Sequence, residues 1–354
     1  MNKKRVVVIA NGLNCGGAER VASLLANYLD QKGYEIYFIA VYSDVREYAL
    51  NERIAFIYIK KSLNIRFGNL VERNFRIYKE IKRLKPDIVI SFNICELLLT
   101  QMMGIPVIHT LRNDPESVDN TFGWKQARNY AFRHAKYVVF QTKGAQKYFS
   151  RDIVKKSSII PNPLNTEILP FWSAGEHNKT FVTACRLNKQ KNIPMLINSF
   201  ISFHKDYPDY ILEIYGDGEL KDELNDLIKS RDAGDYIILK GRSSAIYDIM
   251  SGAFAFVLSS DYEGLSNSML EALAIGLPCI CTNCPPYSAS EYIDDGINGY
   301  LCDVGNAEMM TKKMIEVSGN NLKLDALSKK SKQIRDKLDT QNILRSWVEI
   351  IECE

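Results

Sequence analysis

Short apolar runs alternate with stretches of helical periodicity through most of this chain. Six runs rich in β-branched residues predict strands in the first half, at residues 5–10, 35–42, 54–59, 87–92, 106–110 and 136–141. Five further runs predict strands in the second half, at residues 180–186, 210–216, 236–241, 253–260 and 278–282. Continuous apolar strands separated by amphipathic helices indicate parallel sheets that are covered on both faces.

The alternation stops once, between residues 159 and 179, where three prolines and little periodicity predict a linker. A chain of 354 residues also exceeds the usual size of one domain. We therefore expect an α/β protein with two Rossmann-like, doubly wound domains that face a cleft. The predicted domains are residues 1–165 and 166–330, and a C-terminal helix within 331–354 is expected to pack back across the linker.

Composition favours a water-soluble enzyme or binding protein, with 46% hydrophobic and 25% charged residues. No apolar run approaches the roughly 18 residues that a membrane span needs. The first apolar run is too short for a signal peptide, so we expect a cytoplasmic protein. Cys281 and Cys284 have the spacing of metal ligands, but no second pair accompanies them, which favours reduced thiols and no metal.

Charge is distributed unevenly along the chain. Residues 1–165 contain 26 Lys and Arg against 14 Asp and Glu, whereas the remainder is acidic. The stretch 69–86 combines this basic excess with apolar residues at helical spacing. Two interpretations remain open: a core-facing helix with a solvated basic back, or a contact with anionic lipid or a phosphate-bearing acceptor. Nucleic acid is disfavoured because no recognised binding motif accompanies the charge.

Two carboxylates eight residues apart carry the clearest chemical signal. Glu263 follows the apolar run 253–260, and Glu271 is expected about two turns into the helix after Gly264. In open α/β sheets, ligands bind at the carboxyl ends of strands, and a helix N-terminus favours phosphate. Carboxylates beside an anion-binding turn indicate a ligand with both hydroxyl and phosphate groups, such as a sugar nucleotide.

Two other loops follow predicted strands and offer complementary groups. NGLNCGGAER (11–20) contains Gly16 and Gly17, which allow a ligand to approach the backbone before a helix begins. This loop does not match the G-x-G-x-x-G pattern of nicotinamide-binding proteins. CRLNKQKN (185–192) contains Arg186 and Lys191, which together can neutralise a diphosphate.

Taken in order, GGAER, R-x4-K and E-x7-E resemble the motifs of retaining glycosyltransferase family 4, of the GT-B fold, of the capsule, O-antigen and exopolysaccharide type. YGDGEL (215–220) and LKGR (239–242) resemble two further turns of that family. The chain departs from the pattern at Cys185 and Asn192, where the family commonly has glycine.

The resemblance implies a nucleoside-diphosphate sugar as co-substrate, with UDP expected, and neither cofactor nor metal. Glu263 would hold the donor sugar, Glu271 the ribose, and Arg186 with Lys191 the diphosphate. The implied donor-binding residues are Gly16, Gly17, Arg186, Lys191, Gly216, Gly241, Arg242, Glu263, Gly264, Leu265, Ser266 and Glu271.

The opposite wall of the expected cleft is less well defined. Many family members place a histidine on the loop after the fifth strand, and here the segment is PVIHTLRNDP (106–115). His109 is expected to lie inside the strand, where it would be a packed strand residue, and Arg112 lies nearer the family position. Both remain candidates for a catalytic role, together with Glu263, Arg186 and Lys191.

These implications amount to a retaining hexosyltransferase that transfers a UDP-linked sugar to a lipid-linked glycan, with a peripheral contact to the inner face of the membrane. Two other functions stay open. One is a nucleotide-sugar 2-epimerase of related fold, and the other is a non-catalytic subunit that binds a sugar nucleotide.

Overall fold

The computed structural model describes residues 3–14, 16–60, 66–92, 104–117, 123–172, 178–319 and 321–353. The chain divides into two compact units. The first unit consists of Met1–Pro163 and Gln341–Glu354, and the second unit is Leu164–Thr340. This division begins the second unit two residues before the predicted boundary and assigns residues 331–340 to it as well.

A seven-stranded parallel sheet forms the centre of the first unit, in the order β3-β2-β1-β4-β5-β6-β7. Its strands are β1 (Arg5–Ala10), β2 (Glu35–Ala40), β3 (Ala55–Tyr58), β4 (Ile88–Ser91), β5 (Val107–Leu111), β6 (Tyr137–Phe140) and β7 (Ser157–Ile159). All six predicted strands are present, and β7 is an additional edge strand. The strand order reverses between β1 and β4, which is the switch point of a doubly wound sheet.

The second unit repeats this plan with six parallel strands in the order β10-β9-β8-β11-β12-β13. They are β8 (Thr180–Ala184), β9 (Ile211–Tyr215), β10 (Ile237–Gly241), β11 (Ala255–Leu258), β12 (Cys279–Thr282) and β13 (Tyr300–Cys302). All five predicted strands are present, and β13 is again an additional edge strand. The switch point of this sheet lies between β8 and β11.

Helices connect the strands in both units. In the first unit they are α1 (Gly17–Gln31), α2 (Arg66–Leu84), α3 (Trp124–His134), α4 (Lys143–Lys147) and α5 (Arg151–Val154). In the second they are α6 (Ile193–His204), α7 (Lys221–Ser230), α8 (Ile246–Gly252), α9 (Asn267–Ile275), α10 (Ala307–Ser318), α11 (Asn321–Ser331) and α12 (Ile334–Lys337). The last helix, α13 (Thr340–Glu352), belongs to the first unit from residue 341 onward.

Helix α2 is the predicted basic amphipathic helix, and one of its faces is a core face. Ile77, Ile81 and Leu84 are buried in the same cluster as the strand residues Val7 and Ile39. This geometry confirms the core-facing part of the prediction.

Helix α13 packs against the rest of the first unit. Trp347 is fully buried, and its ring lies 6.0 Å from that of Phe92, which follows β4. Lys4 Nζ donates to the backbone oxygen of Ile351 at 3.0 Å. No helix in the described part of the chain has both the length and the apolar character that a membrane crossing needs.

Four cysteines of the second unit are packing residues. Cys279, Cys281, Cys284 and Cys302 are buried free thiols. Burial raises the pKa of Cys284 and of Cys302 to about 12, so the reactive thiolate is scarce at neutral pH.

Candidate functional site

Two loops meet at the switch point of the second sheet. One follows β8 and contains Arg186 and Lys191, and the other follows β11 and contains Glu263. Because β8 and β11 pair in parallel, their carboxyl ends lie side by side. Ser259 Oγ donates to the backbone oxygen of Lys191 at 2.8 Å, and Asp261 N donates to that of Gln190 at 2.9 Å. These bonds hold the two loops together.

Lys191 and Glu263 form an ion pair at the centre of this junction, between Nζ and Oε1. Their side chains are only 13% and 9% exposed. Ser260 Oγ also donates to Oε1, at 2.6 Å. Burial by itself lowers the pKa of Lys191, but the Glu263 carboxylate more than offsets this and holds the pKa above its ordinary value. The ammonium is therefore charged and fixed in place at neutral pH.

The second oxygen of Glu263 is less engaged. Gln190 Nε2 donates to Oε2 at 3.4 Å, a long contact, and makes a shorter bond of 2.9 Å to the backbone oxygen of Tyr262. The backbone of Glu263 is tied to Pro285 O at 3.0 Å. Oε2 thus has acceptor capacity left for a hydroxyl group.

Asn192 occupies a position where the resembled family commonly has glycine, and its backbone shows how the chain accommodates the change. It has left-handed backbone angles, φ 43° and ψ 46°, which asparagine tolerates better than most residues. Its Oδ1 accepts from Met195 N at 3.3 Å and caps α6, while Nδ2 donates to Asp261 Oδ1 at 2.7 Å. The asparagine therefore keeps the turn and adds a link between the two loops.

Gly216 shapes the Arg186 loop from the neighbouring strand end. It has φ +137°, and a Cβ there would lie 1.8 Å from the backbone oxygen of Cys185. Gly216 N donates to Gly241 O at 2.9 Å, which joins the two turns that the sequence singled out. Arg242 is exposed beside this pair. The contacts of both glycines are structural.

Helix α9 positions the other carboxylate. Its N-cap is Ser266, whose Oγ accepts from Met269 N at 3.4 Å. Gly264 and Leu265 are not helical, and α9 begins at Asn267. Glu271 therefore lies one turn into the helix, and the prediction that it lies about two turns in was wrong. Glu271 is buried and accepts a hydrogen bond of 3.0 Å from the Tyr247 hydroxyl.

Arg186 differs from Lys191 in having its charge available. It is exposed, and its guanidinium makes no hydrogen bond or ion pair with residues in the described ranges. In the first unit, Gly17 begins α1, and Gly16 is an N-cap with no side chain to occupy the helix end. The predicted strand–turn–helix order at Gly16 and Gly17 is confirmed.

His109 and Arg112 occupy different environments at β5. His109 lies inside the strand, as predicted, and is fully buried against Phe132, with ring centroids 5.8 Å apart. Burial, with a smaller effect of Lys156, lowers the pKa of His109 to about 3. Its imidazole is therefore neutral, and its geometry favours the packed-strand interpretation. Arg112 is the first residue after β5.

Sequence reasoning overlooked three residues that support these groups: Gln190, Tyr247 and Ser260. Gln190 had a signal, because it lies within the R-x4-K motif, directly before Lys191. Tyr247 had none, since it lies in α8, outside the motifs named above. No group of three His, Cys, Asp or Glu side chains within the described ranges is arranged to hold a metal ion.

Comparison with known proteins agrees with this architecture. Residues 15–168 match the family model Glycosyltransferase Family 4, and residues 166–334 match Glycosyl transferases group 1. The chain is 26% identical over 356 residues to an uncharacterized glycosyltransferase of Haemophilus influenzae, covering 99% of this chain and 100% of that protein. It is 24% identical over 363 residues to the amylovoran biosynthesis glycosyltransferase AmsD of Erwinia amylovora, covering 98% and 99%.

A solved structure extends the comparison to the fold. The pneumococcal O-GlcNAc transferase GtfA, crystallised with UDP and GlcNAc, matches with a TM-score of 0.80 at 17% identity and covers 100% of both chains. The two family models together account for residues 15–334. The chain thus belongs to the family 4 type of glycosyltransferases and has the GT-B fold.

Proposed function

We propose that this protein transfers a hexose from a UDP-sugar to a glycan acceptor, with retention of anomeric configuration and without a metal ion. The largely buried Lys191–Glu263 pair at the switch point of the second sheet is the observation that carries the proposal. It supplies a fixed cation and a carboxylate where a sugar diphosphate is expected to bind. GtfA, which shares the fold, was crystallised with UDP, and this supports the choice of nucleotide.

Departure of the nucleotide is the electrostatic problem of the reaction. As the bond between the sugar and the diphosphate breaks, negative charge grows on the leaving oxygen. The Lys191 ammonium and the exposed Arg186 guanidinium would stabilise that charge, and the N-terminus of α9 adds backbone N–H groups. Because these groups are held before the reaction, little reorganisation is needed when the charge develops.

The two carboxylates have separate roles in this scheme. Glu263 would hold the donor sugar through Oε2, since Oε1 is committed to Lys191 and Ser260. Its charge would also oppose positive charge on the sugar ring in the transition state. Glu271, oriented by Tyr247, would accept hydrogen bonds from the ribose hydroxyls.

The outer face of α2 supports an acceptor that is carried by a lipid. Val71 and Phe75 are 64% and 49% exposed, and they lie one turn apart on the helix. Lys79 Nζ lies 4.7 Å from the Phe75 ring, and Lys82 is exposed near it. Exposed apolar side chains next to lysines suit the interface of an anionic membrane. The relative AmsD, named for amylovoran biosynthesis, supports a glycan acceptor.

Donor binding and product analysis test the proposal. UDP should raise the melting temperature more than other nucleoside diphosphates, and Lys191→Met should remove that rise. With the correct acceptor, free UDP should appear together with an α-linked product from an α-linked donor, and EDTA should leave the rate unchanged. Epimerised nucleotide sugar without UDP release would instead support the epimerase. Binding without turnover of any donor would support a non-catalytic subunit.

Vesicle sedimentation tests the membrane contact. Wild type should sediment with anionic vesicles and remain in solution with neutral ones. Lys79→Glu combined with Lys82→Glu should abolish the difference, because each lysine near an anionic surface contributes about 1 kcal/mol. The matched control changes two exposed lysines of α11, Lys329→Glu with Lys330→Glu. Equal sedimentation with neutral and anionic vesicles would contradict the membrane contact.

A further inference from the structure

A guanidinium that has no ion-pair partner among the described residues lies at the carboxyl edge of the first sheet. Arg112 directly follows β5, and its Nη1 donates to Ile160 O at 3.3 Å and to Asn162 Oδ1 at 3.1 Å. Its Cζ lies 5.5 Å from the centre of the Phe92 ring and 5.4 Å from that of Trp347. One nitrogen is thus hydrogen-bonded and two aromatic rings lie beside the group, which together restrict its orientation.

The opposite edge of the same guanidinium lacks acceptors. Nε and Nη2 are both shut off from solvent, and neither donates to any group in the described part of the chain. The indole Nε1 of Trp347 is also buried without an acceptor there. A buried donor left without a partner costs about 1–3 kcal/mol. Three such donors at one place therefore indicate that an acceptor not contributed by the described residues belongs there.

The positive charge of Arg112 favours an anion as the missing acceptor. None of the described carboxylates forms an ion pair with Arg112. In the nearest acidic residue along the chain, Asp114, Oδ2 accepts from the N–H and the hydroxyl of Ser117, at 2.8 and 2.6 Å. Burial lowers the pKa of Arg112 to about 9, so the group is still a cation at neutral pH. A bound anion would offset the burial of this charge.

We propose that Arg112 is the anchor of an anion-binding site in the first unit, where its Nε and Nη2 bind two oxygens of a phosphate group. The two N–H bonds on this edge are parallel, which matches the spacing of phosphate oxygens. The basic character of residues 1–165, with 26 Lys and Arg against 14 Asp and Glu, favours phosphate with its higher charge. The assignment of this phosphate to the acceptor rests on the proposed function, whereas the binding of an anion does not.

Indole N–H signals report on this site directly. Trp347 borders Arg112, while Trp172 lies in the second unit, where its Nε1 donates to Ala253 O at 2.9 Å. Inorganic pyrophosphate, titrated at constant ionic strength into the full-length ¹⁵N-labelled protein, should shift the Trp347 signal and leave that of Trp172 in place. An unmoved Trp347 signal at saturating pyrophosphate would overturn the proposal, and this arm needs no variant to fold.

Two variants separate charge from geometry. Arg112→Lys keeps the cation but loses the paired N–H groups, and Arg112→Met removes both. Each should weaken pyrophosphate binding, measured from the Trp347 shift, at least about tenfold. The matched control is Arg151→Lys, the same exchange at an exposed arginine of α5. Unchanged affinity in both Arg112 variants would assign the residue a purely structural role and overturn the proposal.

A parallel titration with UDP identifies the source of the phosphate. If UDP leaves the Trp347 signal in place, the site serves a phosphate other than that of the donor, as proposed. If UDP shifts the signal as strongly as pyrophosphate and with the same dependence on Arg112, the acceptor assignment is overturned. Failure of the proposed function is scored separately, by UDP stabilisation that persists in Lys191→Met, and that outcome leaves the pyrophosphate result untouched.

Discussion

Lys191→Met should separate what the Lys191–Glu263 pair does for folding from what it does for turnover. The substitution removes the ammonium and leaves the Glu263 carboxylate, 9% exposed, without its cation. Breaking a buried ion pair from one side costs about 3–5 kcal/mol. Since Ser260 still donates to Glu263, and both side chains keep some solvent contact, we expect a loss of about 2–4 kcal/mol in the second unit.

The double variant Lys191→Met with Glu263→Gln should recover most of that stability. It removes the unpaired charge, while the amide oxygen of glutamine can still accept the hydrogen bond from Ser260. Turnover should not recover, because the cation that faces the leaving diphosphate is absent from both variants. Loss of one such group typically lowers kcat by about 100- to 1,000-fold.

Urea unfolding provides the assay, with the indole N–H signal of Trp172 reporting on the second unit. The matched control is Lys179→Met, which removes one partner of the exposed pair Lys179–Asp209 in the same unit and should cause no measurable loss. Because the pKa of Lys191 is raised above 10.5, the stabilising effect is fully present below that pH. It should disappear only as the pH rises through the folded-state value. Recovered turnover in the double variant would refute a catalytic role for the cation.

Three further predictions concern the supporting residues. Asn192→Ala should destabilise the second unit by about 1–2 kcal/mol more than Asn192→Gly in urea unfolding, because alanine is strained in the left-handed conformation, and equal losses would contradict this. Below pH 6.5 the histidine is protonated in the unfolded chain but stays neutral in the folded protein, so the free energy of unfolding should fall by up to about 1.4 kcal/mol for each unit by which the pH is lowered. His109→Gln should flatten this dependence of stability on pH. An unchanged dependence would contradict the assignment of His109 as a buried neutral imidazole. Gly216→Ala should abolish UDP binding by calorimetry, since its Cβ would lie 1.8 Å from Cys185 O, whereas Gly234→Ala, with open space around it, should bind normally.

Most strands could be predicted because central parallel strands are buried on both faces and therefore appear as apolar runs. The two that were overlooked, β7 and β13, are edge strands of three residues each. Serine occupies two of the three positions in β7. An edge strand needs only one neighbour and can remain partly exposed, so it lacks the apolar signal that identifies a central strand.

The site residues were recognisable as separate loops, but their contacts were not. Lys191 and Glu263 are 72 residues apart, and they meet because β8 and β11 are neighbours in the sheet. That neighbourhood follows from the strand order, which local periodicity does not encode. The same limit applies to Tyr247, which reaches Glu271 from α8 through tertiary packing alone.

The choice between His109 and Arg112 depends on where β5 ends, and sequence patterns place strand ends only within a few residues. β5 continues through Leu111 and pairs with β6 as far as Phe140, so His109 is enclosed within the sheet. Arg112 is the first side chain beyond that pairing, and it alone of the two lies at the carboxyl edge where ligands bind. If β5 ended three residues earlier, the imidazole of His109 would be the first side chain beyond the strand. Because β5 continues through Leu111, the guanidinium of Arg112 takes that place, and it favours the binding of an anion at this edge.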